Sequence, residues 1–202
     1  MLSGYDISHH NYKYLMSKAT GQDLRKVARD GFLIMKATEG LTFDDPRCME
    51  YVRTVGVSNI INGAAQIGFY HYARPEYNEA VREAEHFLSV VRPYLGSAVL
   101  ALDFEGRALY MPGAVEWSYT WLEAVRIRTG VRPLLYIQKS EFKRFGKVAE
   151  ADYGLWLASW SKGKPKDVRP WPFMAVWQYD TVGLDKDIFF GDAAAWRKYA
   201  AG

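Results

Sequence analysis

Residues 98 to 106 read AVLALDFEG, an apolar, β-rich run that ends in two carboxylates one residue apart. Because side chains alternate between the faces of a strand, Asp103 and Glu105 point the same way, with Cα atoms roughly 6.6 Å apart. Two carboxylates that face one space repel each other, so the one in the drier setting keeps its proton near neutral pH. Such a pair suits the general acid and the charge stabiliser that break a glycosidic bond. The plainer interpretation is a pair that caps a strand and faces solvent, and the flanking sequence decides between the two.

Composition indicates one globular domain. The 202 residues are 49% hydrophobic and 15% aromatic, which is enough for a sizeable core. The 26 basic and 23 acidic residues nearly balance, so nothing indicates a nucleic-acid partner. Cys48 is the single cysteine, which excludes an intrachain disulfide and a cysteine metal cluster. No leader pattern and no run of eighteen apolar residues is present, so we expect a chain made in the cytoplasm without a signal peptide or membrane span.

Apolar strands alternate with helical patterns over the first 140 residues. The pattern predicts strands over residues 4–8, 32–38, 64–73, 98–105 and 133–138. It predicts helices over residues 23–29, from Asp45-Pro46 to about Asn62, and over 77–91 and 114–129. Strand ends then follow near residues 158 and 179, so the spacing contracts and leaves little room for full helices. We therefore predict a single-domain α/β fold, an irregular TIM-like (β/α)5(β)3 barrel.

In such a barrel the chemistry lies where the strands end at the C-terminal face. Carboxylates, a lysine, histidine, tyrosines, tryptophans and a glutamine fall at these ends. Sugars present apolar ring faces for stacking and hydroxyls for hydrogen bonds, so this combination is typical of a carbohydrate site. The residues at the predicted ends are Asp6, Lys36, Glu39, Tyr70, His71, Tyr72, Asp103, Glu105, Tyr136, Trp156, Trp160, Trp177, Gln178, Tyr179 and Asp185.

An ordered series of segments resembles a known family. The segments are GYDISHHN (4–11), FLIMKATEG (32–40), GFYHYAR (68–74), ALDFEG (101–106), LLYIQ (134–138), LWLASW (155–160), MAVWQYD (174–180) and LDKDIF (184–189). In this order they resemble the motifs of glycoside hydrolase family 25 lysozymes, over almost the whole chain. The resemblance implies an N-acetylmuramidase that cleaves the β-1,4 bond from N-acetylmuramic acid to N-acetylglucosamine in bacterial peptidoglycan. It also implies Glu105 as the catalytic acid, with Asp103, Asp6 and Asp185 lining the same cleft.

The resemblance has two departures. The family's V-D-x-N segment reads Leu184-Asp185-Lys186-Asp187 here, which leaves a choice between Asp185 and Asp187, and we prefer Asp185. Wall-binding repeats and a leader, which many members carry, do not occur in these residues. We therefore expect one catalytic domain over residues 1–202, acting as a monomer. We expect release to the wall as a phage endolysin through a lesion in the host membrane, or an extracellular route that the sequence does not reveal.

Several site residues have two interpretations. Lys36 can bind substrate or only pair with Glu39, and Trp156 and Trp160 can contact sugar or pack. Strand alternation sends His71 away from the side that Tyr70 and Tyr72 face. The full expected substrate-binding set is Lys36, Tyr70, Tyr72, Tyr136, Trp156 and Gln178. No His, Asp or Glu spacing indicates a metal site, so we expect no metal and no cofactor.

Two other functions stay open at this point. A barrel that binds glycan without cleaving it would be indicated by loss of Asp103 or Glu105, and both are present. A hydrolase of another amino-sugar polymer such as chitin would be favoured by a D-x-x-D-x-D-x-E strand, of which only the last D-x-E occurs. The spacing of the pair lies near the border between retaining and inverting geometries and does not choose between them.

Overall fold

The fold is a closed eight-stranded barrel surrounded by helices. The computed structural model describes residues 1–16, 23–160 and 163–202. Its strands are β1 (Leu2–Ile7), β2 (Phe32–Glu39), β3 (Phe43–Asp44), β4 (Ile67–Tyr72), β5 (Ala98–Asp103), β6 (Leu134–Gln138), β7 (Leu155–Ala158), β8 (Val176–Asp180) and β9 (Asp185–Phe189). Its α-helices are α1 (Tyr12–Met16), α2 (Leu24–Asp30), α3 (Cys48–Val55), α4 (Val57–Ile61), α5 (Ala80–Val91), α6 (Ala114–Thr129), α7 (Gly146–Glu150) and α8 (Ala193–Ala201). Short 3-10 turns cover His9–Asn11, Arg92–Tyr94, Gly106–Tyr110 and Phe142–Phe145.

Strand pairing closes the barrel in the predicted five-plus-three arrangement. Around the barrel the strands follow the order β1, β2, β4, β5, β6, β7, β8, β9, and β9 returns to β1. Pairing is parallel from β1 to β8, whereas β9 runs antiparallel to both of its neighbours. The two-residue β3 forms a short ribbon with β2 outside the ring. In the described residues between α7 and α8 the chain forms only strands and loops, which confirms the (β/α)5(β)3 prediction.

Two predicted helices show how well local patterns fix their bounds. The helix predicted over 114–129 is found as α6, and Gly130 ends it with φ +77°, a value that glycine adopts without strain. The helix predicted from Asp45-Pro46 to Asn62 is wrong in its outline. It begins at Cys48 and breaks into α3 and α4 at Gly56, where φ is +98°. Asp45 does not cap it by side chain, because that carboxylate is buried and bound to the backbone N–H groups of His9 and Arg47.

The C-terminal helix closes the end of the barrel at which the parallel strands begin. On α8, Trp196 is 1% exposed and packs between Phe32 and Phe189, with ring centroids 4.7 and 5.1 Å away. Its indole N–H donates to the carbonyl of Ile67 at 3.0 Å, so the one polar group of this buried side chain has a hydrogen-bond partner. With this end filled, the opposite end is the one at which a cleft can open.

In the residues that the structure describes, no helix is both long and apolar enough to cross a membrane.

The plug at the base of the barrel gives a stability prediction. Trp196→Ala should lower the free energy of unfolding by about 3–5 kcal/mol, because the cavity it leaves lies between strands that cannot collapse onto it. Ile127→Ala, at a side chain that is 69% exposed, is the control and should change it by less than about 0.5 kcal/mol. Urea unfolding of the three proteins measures both. A loss below about 1 kcal/mol for Trp196→Ala would show that the barrel does not depend on this plug.

Candidate active site

A cleft of about 410 Å³ opens at the C-terminal ends of the parallel strands. All ten residues that the sequence analysis named as catalytic or substrate-binding line it. Six further residues were not in that set, although Glu39 and Trp160 had been noted at strand ends. The lining comprises Asp6, Ser8, His10, Lys36, Glu39, Tyr70, Tyr72, Arg74, Asp103, Glu105, Tyr136, Trp156, Trp160, Gln178, Thr181 and Asp185.

Asp103 and Glu105 stand on the cleft side of one extended segment. Asp103 is the last residue of β5, and Glu105 keeps an extended backbone with φ −144° and ψ −177°, so their side chains share a face. Asp103 forms the floor at 8% exposure, whereas Glu105 is half-buried. One oxygen of Asp103, Oδ1, is buried and accepts no hydrogen bond from the described residues. An acceptor of this kind, buried at the base of an open cleft, is available to a ligand.

Burial raises the pKa of both carboxyl groups. It raises the pKa of Asp103 well above its ordinary value, and the charge of Glu105 adds to this. It also raises the pKa of Glu105, where the second contribution comes from Asp185 and the Lys36 ammonium opposes the shift. The sequence analysis placed a raised pKa with the drier carboxyl, and the drier one is Asp103. Protonation therefore does not by itself distinguish the acid from its partner, and position in the cleft has to do so.

Asp6 is held by an amide from β8, the second strand from β1 around the barrel. The Gln178 amide donates to Asp6 Oδ2 at 2.8 Å, and its own oxygen accepts from Tyr136 at 3.0 Å and from the Trp160 indole at 3.1 Å. Two donors on the oxygen fix which end of the amide faces Asp6. Burial and, second, the charge of Asp185 raise the pKa of Asp6 to about 7, against the lowering effect of its hydrogen bonds.

The structure separates Asp185 from Asp187 by depth. The antiparallel register of β9 places Asp185 directly opposite Asp6, where it is half-buried and lines the cleft. Asp187 lies two residues deeper on the same face of β9, with no exposed surface, and it does not line the cleft. The preference for Asp185 as the cleft residue agrees with this placement. Sequence reasoning gave Asp187 no role of its own.

A basic pair borders the cleft on the side of β2 and β4. Lys36 Nζ lies 2.5 Å from Glu39 Oε2, and Arg74 Nε donates to the other oxygen of Glu39 at 2.7 Å. Burial opposes ionisation of Glu39, but these two hydrogen bonds lower its pKa overall. The ring of Tyr72 packs against both cations, at 4.7 Å from Lys36 and 4.8 Å from Arg74. Lys36 thus does pair with Glu39, and it also lies in the cleft.

Aromatic residues divide into floor and rim. Trp156 is 1% exposed and meets Tyr136 edge-on at 4.9 Å, so it supports the floor from below. Trp160 lies at the rim and is 55% exposed, so part of its side chain is open to solvent. Of the two tryptophans considered for sugar contact, the exposed one is therefore the better stacking surface.

The histidines lie in different places. His71 faces away from the cleft, as predicted, and is buried against Thr38 and Glu83, each 2.8 Å from a ring nitrogen. His9 is fixed by Asp45 at 2.8 Å, and the exposed His10 lies at the cleft mouth. Within residues 1–16, 23–160 and 163–202, no group of three or more His, Cys, Asp or Glu side chains is arranged to hold a metal ion.

The buried carboxyl on the floor gives a prediction about stability and pH. The unfolded chain ionises Asp103 near its ordinary pKa of about 3.9, so stability is lost as pH rises from there through the raised folded value. Asp103→Asn removes this cost, so its melting temperature should exceed the wild-type value at pH 7, and the gap should shrink towards pH 4.

Calorimetry across this range measures the effect. Asp30→Asn is the control with the opposite sign, because its hydrogen bond with Arg29 lowers the pKa of the exposed Asp30. A gap for Asp103→Asn that does not change with pH would contradict the argument.

Comparisons with known proteins place this geometry in a family. The sequence profile of glycosyl hydrolases family 25 matches residues 5–188. The chain is similar to the autolytic lysozyme of Clostridium acetobutylicum, at 26% identity over 145 residues, which cover 71% of this chain but 43% of that protein. It is similar to lysozyme M1 of Streptomyces globisporus, at 24% identity over 96% of this chain and 69% of that protein. The chain thus spans less than half the length of one of these relatives and about two thirds of the other.

The fold also has a close counterpart among solved structures. The structure of muramidase from Acremonium alcalophilum superposes with a TM-score of 0.78 at 24% identity, over 100% of both chains. The profile match covers most of the barrel and all the residues of the cleft. This chain therefore belongs to glycosyl hydrolases family 25.

Proposed function

We propose that this chain is an N-acetylmuramidase that hydrolyses the β-1,4 bond between N-acetylmuramic acid and N-acetylglucosamine in bacterial peptidoglycan. The observation that carries the proposal is the pairing of half-buried Glu105 with floor residue Asp103, whose buried Oδ1 has no donor among the described residues. Family membership and the lysozyme names of the relatives support it. Because one chain supplies the whole cleft, the barrel is proposed to act as a monomeric catalytic unit.

Glu105 is proposed as the general acid on grounds of position. A general acid must reach the glycosidic oxygen, and Glu105 faces the open part of the cleft while Asp103 lies on its floor. Burial raises its pKa, which favours the protonated form that a general acid needs. When that proton passes to the leaving oxygen, Lys36 is the cation that favours the carboxylate left behind.

The aspartates are proposed to act on the sugar at the bond that breaks. The free oxygen of Asp103 can accept from the N–H of an N-acetyl group or face the positive charge that develops at the anomeric carbon. Asp6 and Asp185, opposite each other on β1 and β9, add negative charge to the same wall. The stacking surface of Trp160 and the hydroxyls of Tyr70, Tyr72 and Tyr136 are proposed to hold the sugar chain, with Lys36 and Gln178 as polar contacts.

Wall digestion separates this proposal from its two competitors. Turbidity of purified walls should fall on addition of the protein, and mass spectrometry of the fragments should find muramic acid at the new reducing ends. Binding without release of fragments would indicate a glycan-binding barrel. Cleavage of chitin oligomers in preference to wall fragments would indicate a hydrolase of another amino-sugar polymer.

Replacing the proposed acid tests its role. Glu105→Gln keeps the shape of the side chain but removes its proton, so we expect the rate to fall about 10²–10⁴-fold while wall binding survives. Glu85→Gln is the matched control, since Glu85 is exposed and pairs with Arg128 away from the cleft, and its rate should stay normal. Near-normal turnover of folded Glu105→Gln would assign the acid elsewhere, with Asp6 or Asp185 next to be tested.

The charge that tunes the acid gives a pH prediction. Activity requires protonated Glu105, so the rate should fall as pH rises through its pKa. Asp185 raises that pKa, and Asp185→Asn should therefore move the alkaline limb of the pH–rate profile to lower pH as well as lower the maximum. An unmoved limb, measured on soluble wall fragments and normalised to each maximum, would contradict this account.

A further inference from the structure

Asp187 is a buried carboxyl that the proposed mechanism does not use. It lies on β9 with no exposed surface, paired in register with Gly4 on β1 and with Gln178 on β8. Its Oδ1 accepts the indole N–H of Trp156 at 2.8 Å. Its Oδ2 receives no N–H or hydroxyl donor from the described residues, although it is fully enclosed. An ionised carboxylate is strongly disfavoured in a fully enclosed position without a donor, so the protonation state of this oxygen has to be explained.

Asp187 and Asp6 meet at Gln178, which lies opposite Asp187 in the register of β8 and β9 and donates to Asp6 Oδ2 at 2.8 Å. Each carboxyl shifts the pKa of the other, and two carboxyls in contact can hydrogen-bond only if one of them carries a proton. Asp6 already accepts from the Gln178 amide, which favours its ionised form. Among the described residues Asp187 accepts from one donor, Trp156, and it is the deeper of the two carboxyls. The proton therefore belongs on Asp187, with Asp6 as the acceptor.

The groups around Asp187 agree with this assignment. The charges that act on it most strongly are Asp6 on β1 and Asp185 on its own strand, and both are negative. Tyr136 on β6 contacts Gln178 and Trp156, and the charge of Asp187 contributes to its raised pKa. β7 and β8 contribute the uncharged Trp156 and Gln178. Lys186 pairs with Asp180 and Lys36 with Glu39, so neither of these lysines is paired with Asp187.

We propose that Asp187 is a neutral carboxylic acid whose hydroxyl donates to Asp6, and that it acts as a positioning residue for the cleft. Gln178 is one donor to the Asp6 carboxylate, and Asp187 is the second. The two donors orient this carboxylate and keep it ionised. Burial raises the pKa of Asp187 well above its ordinary value, and its hydrogen bond lowers the pKa of Asp6. This role deepens the proposed function and rests on it for the consequence on rate, whereas the proton itself can be detected without any assay of activity.

Two variants at this position separate the donor from the charge. Asp187→Asn keeps an oxygen for Trp156 and an N–H for Asp6, so we expect a rate within about threefold of wild type and an unmoved acid limb. Asp187→Leu removes the donor at similar volume, so the pKa of Asp6 rises and the acid limb moves to higher pH. Its rate at neutral pH should fall roughly ten- to a hundredfold, the usual worth of a hydrogen bond to a charged group. Asp30→Asn, at the surface, is the control for both.

Infrared difference spectroscopy tests the proton directly and remains informative if Asp187→Leu does not fold. About one pH unit above the pKa of Asp6, which is about 7, wild type minus Asp187→Asn should show the carbonyl stretch of a protonated carboxyl, and wild type minus Asp30→Asn should not. Absence of that band, or an acid limb that moves in Asp187→Asn as far as in Asp187→Leu, would overturn the proposal. If the band is present but Glu105→Gln remains active, the proton assignment stands and the proposed acid is the part that fails.

Discussion

Mutual repulsion among carboxyl groups that have little access to water is the constraint around which the cleft is built. Asp6, Asp103 and Asp187 are each at most 8% exposed, and Glu105 and Asp185 are only half-buried beside them. Such groups cannot all ionise at that end of the barrel, so the pKa of each one is raised by burial. The buried carboxyl groups lower the free energy of unfolding. The hydrogen bonds between strands and the packing of Trp196 between Phe32 and Phe189 have to offset this loss.

The reversed last strand brings these groups together. Because β9 runs antiparallel between β8 and β1, it completes the ring of backbone hydrogen bonds, and each of the eight described ring strands has a partner on both sides. The same register sets Asp185 opposite Asp6 and Asp187 opposite Gln178. A parallel strand at this place would need a crossover of a dozen residues or more, and only 181–184 connect β8 to β9. The pairing of β9 with β8 and β1 thus both closes the barrel and brings Asp185 and Asp187 to Asp6 and Gln178.

The barrel and the location of its cleft could be predicted from the sequence, because both follow from local patterns. Buried strands read as continuous apolar runs, and polar residues at their ends must meet at one face. The connections inside the cleft could not be predicted. Gln178 and Asp6 are separated by 172 positions in the chain, and nothing near either one indicates that the amide binds the carboxylate. The burial of Asp187 likewise depends on closure of the ring, and the break at Gly56 depends on how two short helices pack.

A single hydroxyl links the two sides of the cleft. Tyr136 donates to the Gln178 oxygen at 3.0 Å, and hydrogen bonding to the same hydroxyl also lowers the pKa of Glu105, yet Tyr136 has only one proton to give. While Glu105 is protonated it carries no charge for the hydroxyl to stabilise, and Tyr136 donates to the Gln178 oxygen. Once Glu105 is ionised, its charge is the stronger acceptor, and the Gln178 oxygen still has the Trp160 indole as a donor at 3.1 Å. The amide therefore keeps its orientation towards Asp6 in both protonation states of Glu105, because two donors share the task of holding it.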